Sequence, residues 1–184
     1  MLRLADNPPM TFPPEADLGE VGGAWRAAYT KPRQEKLLAW DLQRLGIPYF
    51  LPLLQRDVVS AGRRRTGVYP LFASYLFFAG DDAARLEALK TDRIVRLLDP
   101  QPAQQAEFRR QLSAICRALR AAPSTVRFHP HAVRGTRVVV RAGALQGVEG
   151  IVLEDRSPKR LWIGVSLLGV SATVEISADL VEAC

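Results

Sequence analysis

Phe108, Leu112, Ile115 and Leu119 recur at i, i+4, i+7 and i+11, and Pro123 then ends the pattern. That spacing puts four apolar side chains on one face of a long helix over "AQQAEFRRQLSAICRALRAA". Beyond the proline the period changes. "TRVVVRA", "GIVLED", "RLWIGVSLL" and "ATVEI" are short β-rich runs separated by Gly, Ser and Pro, the spacing of a small all-β barrel. A chain that switches period once, after its strongest helix, is constrained to two unlike units. Its 184 residues suffice for both.

Upstream of the helix the pattern mixes strands and helices. "WRAAYT" at 25–30 suits a strand. "KPRQEKLLAWDLQRLG" suits a helix, with Leu38, Leu42 and Leu45 on one face and Gly46 just past its end. "IPYFLP" reads as a strand, and "LLQRDVVSAGRRRTGVYPLF" as two arms around the polar tip "SAGRRRTG". "LFASYLFF", 71–78, reads as a strand buried on both faces. Asp81 or Asp82 can cap a helix over "AARLEALK", and "RIVRLL" is a further strand. Helices flanking a mostly antiparallel sheet give an α+β first domain. The expected divisions are a flexible tail at 1–24, a domain at 25–122, a linker at 123–131 and a five-stranded barrel at 132–184.

Charge separates the same segments. The net charge is +6, with 48% hydrophobic and 24% charged residues. Residues 132–184 carry six basic and six acidic side chains, and residues 1–24 carry one arginine and four acids. Residues 25–131 therefore hold 18 basic against 9 acidic residues. Such a body suits a polyanion or serves solubility alone. No apolar run reaches membrane-spanning length, and the N-terminus lacks a signal peptide's apolar stretch. Cys116 and Cys184 are too few for a disulfide framework, so a cytoplasmic protein that touches no membrane is expected. His129 and His131 lie in the linker without further ligands. No catalytic constellation emerges, so neither enzyme activity nor a metal or other cofactor is expected.

"GALQGVEGIV", 143–152, tests the phosphate reading directly. A Walker loop needs Lys-Ser/Thr after its last glycine, and Gly150 precedes Ile151 and Val152. A dinucleotide fingerprint opens a helix, whereas a strand follows here. The stretch reads as strand, turn and strand. Gly143 and Gly147 would permit positive φ, and Gly150 would admit a close neighbouring backbone.

"GTRVVVRAGALQGVEGIV", 135–152, resembles a KOW motif, and "KRLWIGVSLLGVSATVEISADLVEA" resembles the rest of the KOW barrel in NusG-type transcription factors. "WRAAYTKPRQEK", "YFLPLLQRDVVSAGRRRTGVYPLFASYLFF" and "TDRIVRLL" resemble the N-terminal (NGN) domain of the same family. The likeness is nearer to RfaH-like specialised paralogs, through Tyr29, Lys31 and the "GRRRT" phrase. The usual Phe-Pro-Gly/Asn-Tyr reads Phe72-Ala73-Ser74-Tyr75 here.

The resemblance implies an elongation or antitermination factor, expected as a monomer. Its first domain would dock on the clamp helices of RNA polymerase through Tyr29, Phe72, Tyr75 and Phe77, aromatics suited to burying large area. Any of the four could instead be core. Lys31, Arg33 and Gln34 are candidates for the non-template DNA strand, and Arg93 and Arg96 are further basic candidates for nucleic acid. Arg63, Arg64 and Arg65 would meet upstream DNA or merely guard an exposed hairpin. Leu167, Leu168 and Val170 would recruit a small-subunit ribosomal protein or termination factor Rho, with Trp162 in the barrel core. A ribosome-associated KOW protein that binds RNA is the alternative, disfavoured by the neutral barrel.

Overall fold

The computed structural model describes residues 7–60, 63–129, 135–143, 145–152, 160–175 and 180–183. The chain divides into two compact units, 1–106 and 107–184.

In the first unit the described strands are β1 (Thr11–Phe12), β2 (Ala24–Thr30), β3 (Tyr49–Phe50), β4 (Leu53–Ser60), β5 (Arg63–Pro70), β6 (Tyr75–Gly80) and β7 (Ile94–Leu98). Helices α1 (Glu35–Arg44) and α2 (Asp82–Lys90) lie between them. Five strands form an antiparallel sheet in the order β1-β3-β6-β2-β7. This is the α+β arrangement expected from the strand and helix periods. β4 and β5 form a separate two-stranded hairpin.

Strand alternation makes the sheet two-faced. Ala28, Leu76 and Phe78 meet Leu38, Ala39 and Leu42 of α1 in one buried cluster. Trp25, Ala27, Phe77 and Ala79 occupy the opposite face and are also buried. Arg26 is buried near the far end of the sheet, 2.8 Å from Asp99 and donating to the Gly80 carbonyl at 2.8 Å. Asp81 caps α2 by accepting from Ala84 N–H at 2.8 Å.

Three sequence expectations change here. Residues 1–24 are not simply a tail. β1 pairs with β3, Tyr49 donates its hydroxyl proton to the Pro9 carbonyl at 3.1 Å, and Leu18 is buried. The strand expected over 71–78 begins only at Tyr75, because Leu71–Ser74 turn. The arginine triplet belongs to β5, where Arg63, Arg64 and Arg65 oppose Ser60, Val59 and Val58, and the tip residues 61–62 lie outside the described residues.

Helix α3 (Gln105–Ala121) crosses the division between the units at 106/107, a division expected only after 122. Phe108, Leu112, Ile115 and Leu119 are buried on one face, as their spacing requires. The second unit continues with β8 (Arg127–His129), β9 (Thr136–Val140), β10 (Glu149–Val152), β11 (Arg160–Val165), β12 (Val170–Glu175) and β13 (Val181–Ala183). These form one antiparallel sheet ordered β13-β9-β10-β11-β12-β8. Six strands replace the expected five. The added one is β8, drawn from the supposed linker 123–131 and paired with β12. The rest of that linker, residues 130 and 131, lies outside the described residues, as does Cys184.

The glycine-rich stretch behaves as a turn. Gly143 and Gly147 take φ of +83° and +76°, and Gly147 N–H donates to the Val140 carbonyl at 2.8 Å. At Gly150 a Cβ would stand 2.7 Å from both Leu161 Cδ1 and the Trp162 carbonyl oxygen, so only glycine fits between the strands.

Candidate protein-docking site

Tyr29 on β2 and Tyr75 on β6 are direct cross-strand partners. Their ring centroids lie 5.2 Å apart with the planes tilted by 53°. On the same face, the next rungs are Ala27 with Phe77 and Trp25 with Ala79, all buried. The tyrosine pair is thus the last rung of a covered apolar face, and it faces water: Tyr29 is 37% exposed. Across β2 from Tyr75, Tyr29 also opposes Arg96 on β7. Arg96, Tyr29 and Tyr75 form a row across three adjacent strands.

β7 carries a bulge at this place. Arg96 pairs with Tyr29 and Ile94 pairs with Thr30, which leaves Val95 as the extra residue. A bulge turns consecutive side chains away from strict alternation. Val95 is 60% exposed and lines an open groove of about 560 Å³ with Tyr29, Tyr75 and Arg96. Nothing in the local sequence announces Val95, because a bulge is set by pairing with β2.

Phe72 and Phe77, expected beside the tyrosines, are core residues instead. They are 1% and 0% exposed. Phe77 shares the face of Tyr75 but stands one rung further in. There Phe50 stacks on it at 6.1 Å, and Phe72 meets it edge-on at 6.1 Å.

The turn before Tyr75 is held from α1. Ser74 takes φ of +63°, in the left-handed region that favours Gly and Asn. Its N–H donates to Glu35 Oε1 at 2.7 Å, and its carbonyl accepts from Thr30 N–H at 2.8 Å. Glu35 is only 7% exposed, and sequence reading missed it. The residue after it, Lys36, donates to the Val68 carbonyl at 2.6 Å and ties the β4–β5 hairpin to α1. Burial pushes the Lys36 ammonium below its ordinary pKa, and the neighbouring Glu35 charge opposes that shift.

The basic candidates divide. Arg93 is ion-paired with Asp41 and donates to Gln34 Oε1 at 2.6 Å, so these two expected DNA contacts hold each other. Lys31 meets Asp92 at 2.9 Å. Both are well exposed, and such a pair is worth about 0–1 kcal/mol, so an incoming phosphate can replace it. Arg33 is exposed with φ of +62°. The backbones of Arg63, Arg64 and Arg65 are described, and their side chains lie outside the description.

In the second unit, Leu167 and Leu168 stand in a single 3-10 turn, Ser166–Leu168, between β11 and β12. Gly169 closes it with φ of +65°, and Val170 pairs with Val165. All three candidates are half-buried at one hairpin end. Trp162 is buried, as expected. Arg117 of α3 donates to the Gln146 and Gly147 carbonyls at 3.2 and 3.4 Å, which fastens the helix to the glycine turn. Among the described residues no cluster of His, Cys, Asp and Glu could hold a metal ion, and no helix is long and apolar enough to cross a membrane.

Residues 23–112 match the model of the NusG family, described as transcription termination factor NusG. No curated protein sequence matches the chain. Among solved structures, one titled "Domain interaction in Thermotoga maritima NusG" is similar at 16% identity and a TM-score of 0.44. The similarity covers 87% of this chain and 96% of that one.

Proposed function

We propose that this chain, whose residues 23–112 match the NusG family model, is a transcription elongation or antitermination factor that docks on RNA polymerase through the Tyr29–Tyr75 pair. The observation that carries the reading is this pair, packed ring to ring and open to solvent within the segment matched to the family. Two large aromatic side chains at the end of a covered apolar face are the composition of a binding hot spot.

In this reading the first unit bridges the polymerase cleft, holds the clamp closed and suppresses pausing or termination, with no chemical step of its own. Lys31 and Arg33 approach the non-template strand, whereas Gln34 and Arg93 shape the turn that presents them. The second unit acts as a KOW module of RfaH-like type. Its hairpin end at Leu167, Leu168 and Val170 recruits a small-subunit ribosomal protein or Rho. Cytoplasmic placement follows from that role.

Pull-down of bacterial core RNA polymerase with the purified full chain tests the docking. Tyr75→Ala is expected to lose most of the bound polymerase. Binding equal to the parent would remove the docking assignment.

A further inference from the structure

We infer that the groove beside the tyrosines selects a protein segment that sets a carboxylate next to an apolar side chain, and that Arg96 reads the carboxylate. The inference rests on the docking reading above and adds the chemistry of the surface that docks.

Three observations carry it. First, the groove is apolar and aromatic on every side but one. Tyr29, Tyr75 and Val95 supply the apolar walls, and Arg96 supplies the only charge among its lining residues. Second, among the described residues the Arg96 side chain makes no ion pair or hydrogen bond, although acids stand near it in sequence. Asp92 is paired with Lys31, and Asp99 with Arg26. A guanidinium left free beside two phenols is ready for a planar anion, which it holds through two parallel N–H donors. Third, the bulge brings Val95 to the same groove as its neighbour Arg96, so one ligand can touch both.

The same features argue against a nucleic-acid strand. A phosphate track calls for several cations in line, because its affinity comes from neutralising successive charges. Here a single cation lines the groove, and Arg93 is already engaged with Asp41 and Gln34.

The test uses the full chain, with bacterial core RNA polymerase as probe and a single-stranded oligothymidylate as control. Affinity is read at low and at physiological salt. Arg96 is exposed on its strand, so its variants keep the fold. Arg96→Gln is expected to weaken polymerase binding by roughly tenfold at low salt and to flatten its salt dependence, while oligothymidylate binding stays unchanged. Arg96→Glu should lose more, since repulsion replaces attraction. If Arg96→Gln binds polymerase within about twofold of the parent while Tyr75→Ala fails, docking stands and the carboxylate inference falls. If neither variant loses affinity, or the parent does not bind polymerase, the docking reading falls and takes the inference with it. An equal or larger loss on oligothymidylate assigns the groove to nucleic acid and overturns the inference.

Discussion

Glu35, in the first turn of α1, accepts the backbone N–H of Ser74 at 2.7 Å across 39 residues of sequence. The contact fixes the turn from which Tyr75 enters β6, so a buried carboxylate sets the position of a solvent-facing ring. A charged acceptor suits the task, since charge-assisted hydrogen bonds are shorter and stronger than neutral ones. Removing it is expected to cost about 1–3 kcal/mol of stability, because the Ser74 N–H loses its partner in a half-buried place. Glu35→Ala should also weaken polymerase binding, whereas Glu35→Gln keeps an amide oxygen for Ser74 and should restore most of it. Urea titration and polymerase pull-down on both variants check this. Equal binding by Glu35→Ala and the parent would separate the turn from docking.

Ser74 sits at φ of +63°, a region that costs a residue with a Cβ roughly 1–2 kcal/mol. Ser74→Gly relieves that strain and keeps both backbone hydrogen bonds. Part of the gain is offset by the freer unfolded chain, so a net stabilisation of about 0.5–1 kcal/mol is expected. A higher urea midpoint with an unchanged slope is the expected readout.

Tyr49 gives a pH signature. Burial pushes its phenol well above the ordinary value of 10.0. Below that pH the folded and unfolded chains both keep the proton, and the group has no effect on the pH dependence. As pH rises through about 10, the unfolded chain ionises while the folded one does not, so this residue's contribution to stability falls. Tyr49→Phe should cost about 1 kcal/mol at neutral pH through the lost bond to Pro9. Its deficit against the parent should shrink above pH 10. A deficit independent of pH would mean that Tyr49 ionises as readily in the folded chain as in the unfolded one.

Leu18 distinguishes an ordered N-terminal segment from a tail. It is 2% exposed, and truncating a leucine in such a place costs about 2–5 kcal/mol. Leu18→Ala is therefore expected to destabilise the first unit and to speed proteolysis between residues 7 and 24. A variant as stable as the parent would return that segment to the role of a tail.

What the sequence disclosed was local. The period of Phe108, Leu112, Ile115 and Leu119 is set within one helix, and the same residues are buried. The positive φ of Gly143 and Gly147 followed from their place in a turn. What it concealed depends on partners far along the chain. β1 is two residues long among prolines, and it exists because β3 offers an edge. Phe72 and Tyr75 are close in sequence and equally aromatic, yet the sheet buries one and leaves the other in the groove. Arg93 and Arg96 looked alike as basic residues of one segment. Asp41 neutralises the first, and nothing among the described residues neutralises the second.

The bulge in β7 has an evolutionary reading. Arg96 faces Tyr29 and Ile94 faces Thr30, with Val95 inserted between those two rungs. Loss of that one codon would leave both rungs in register and the strand paired. The groove alone would change, losing a wall beside its guanidinium. A lineage can therefore gain or discard this groove wall by an insertion or deletion of three nucleotides, without first having to rebuild the domain that carries it.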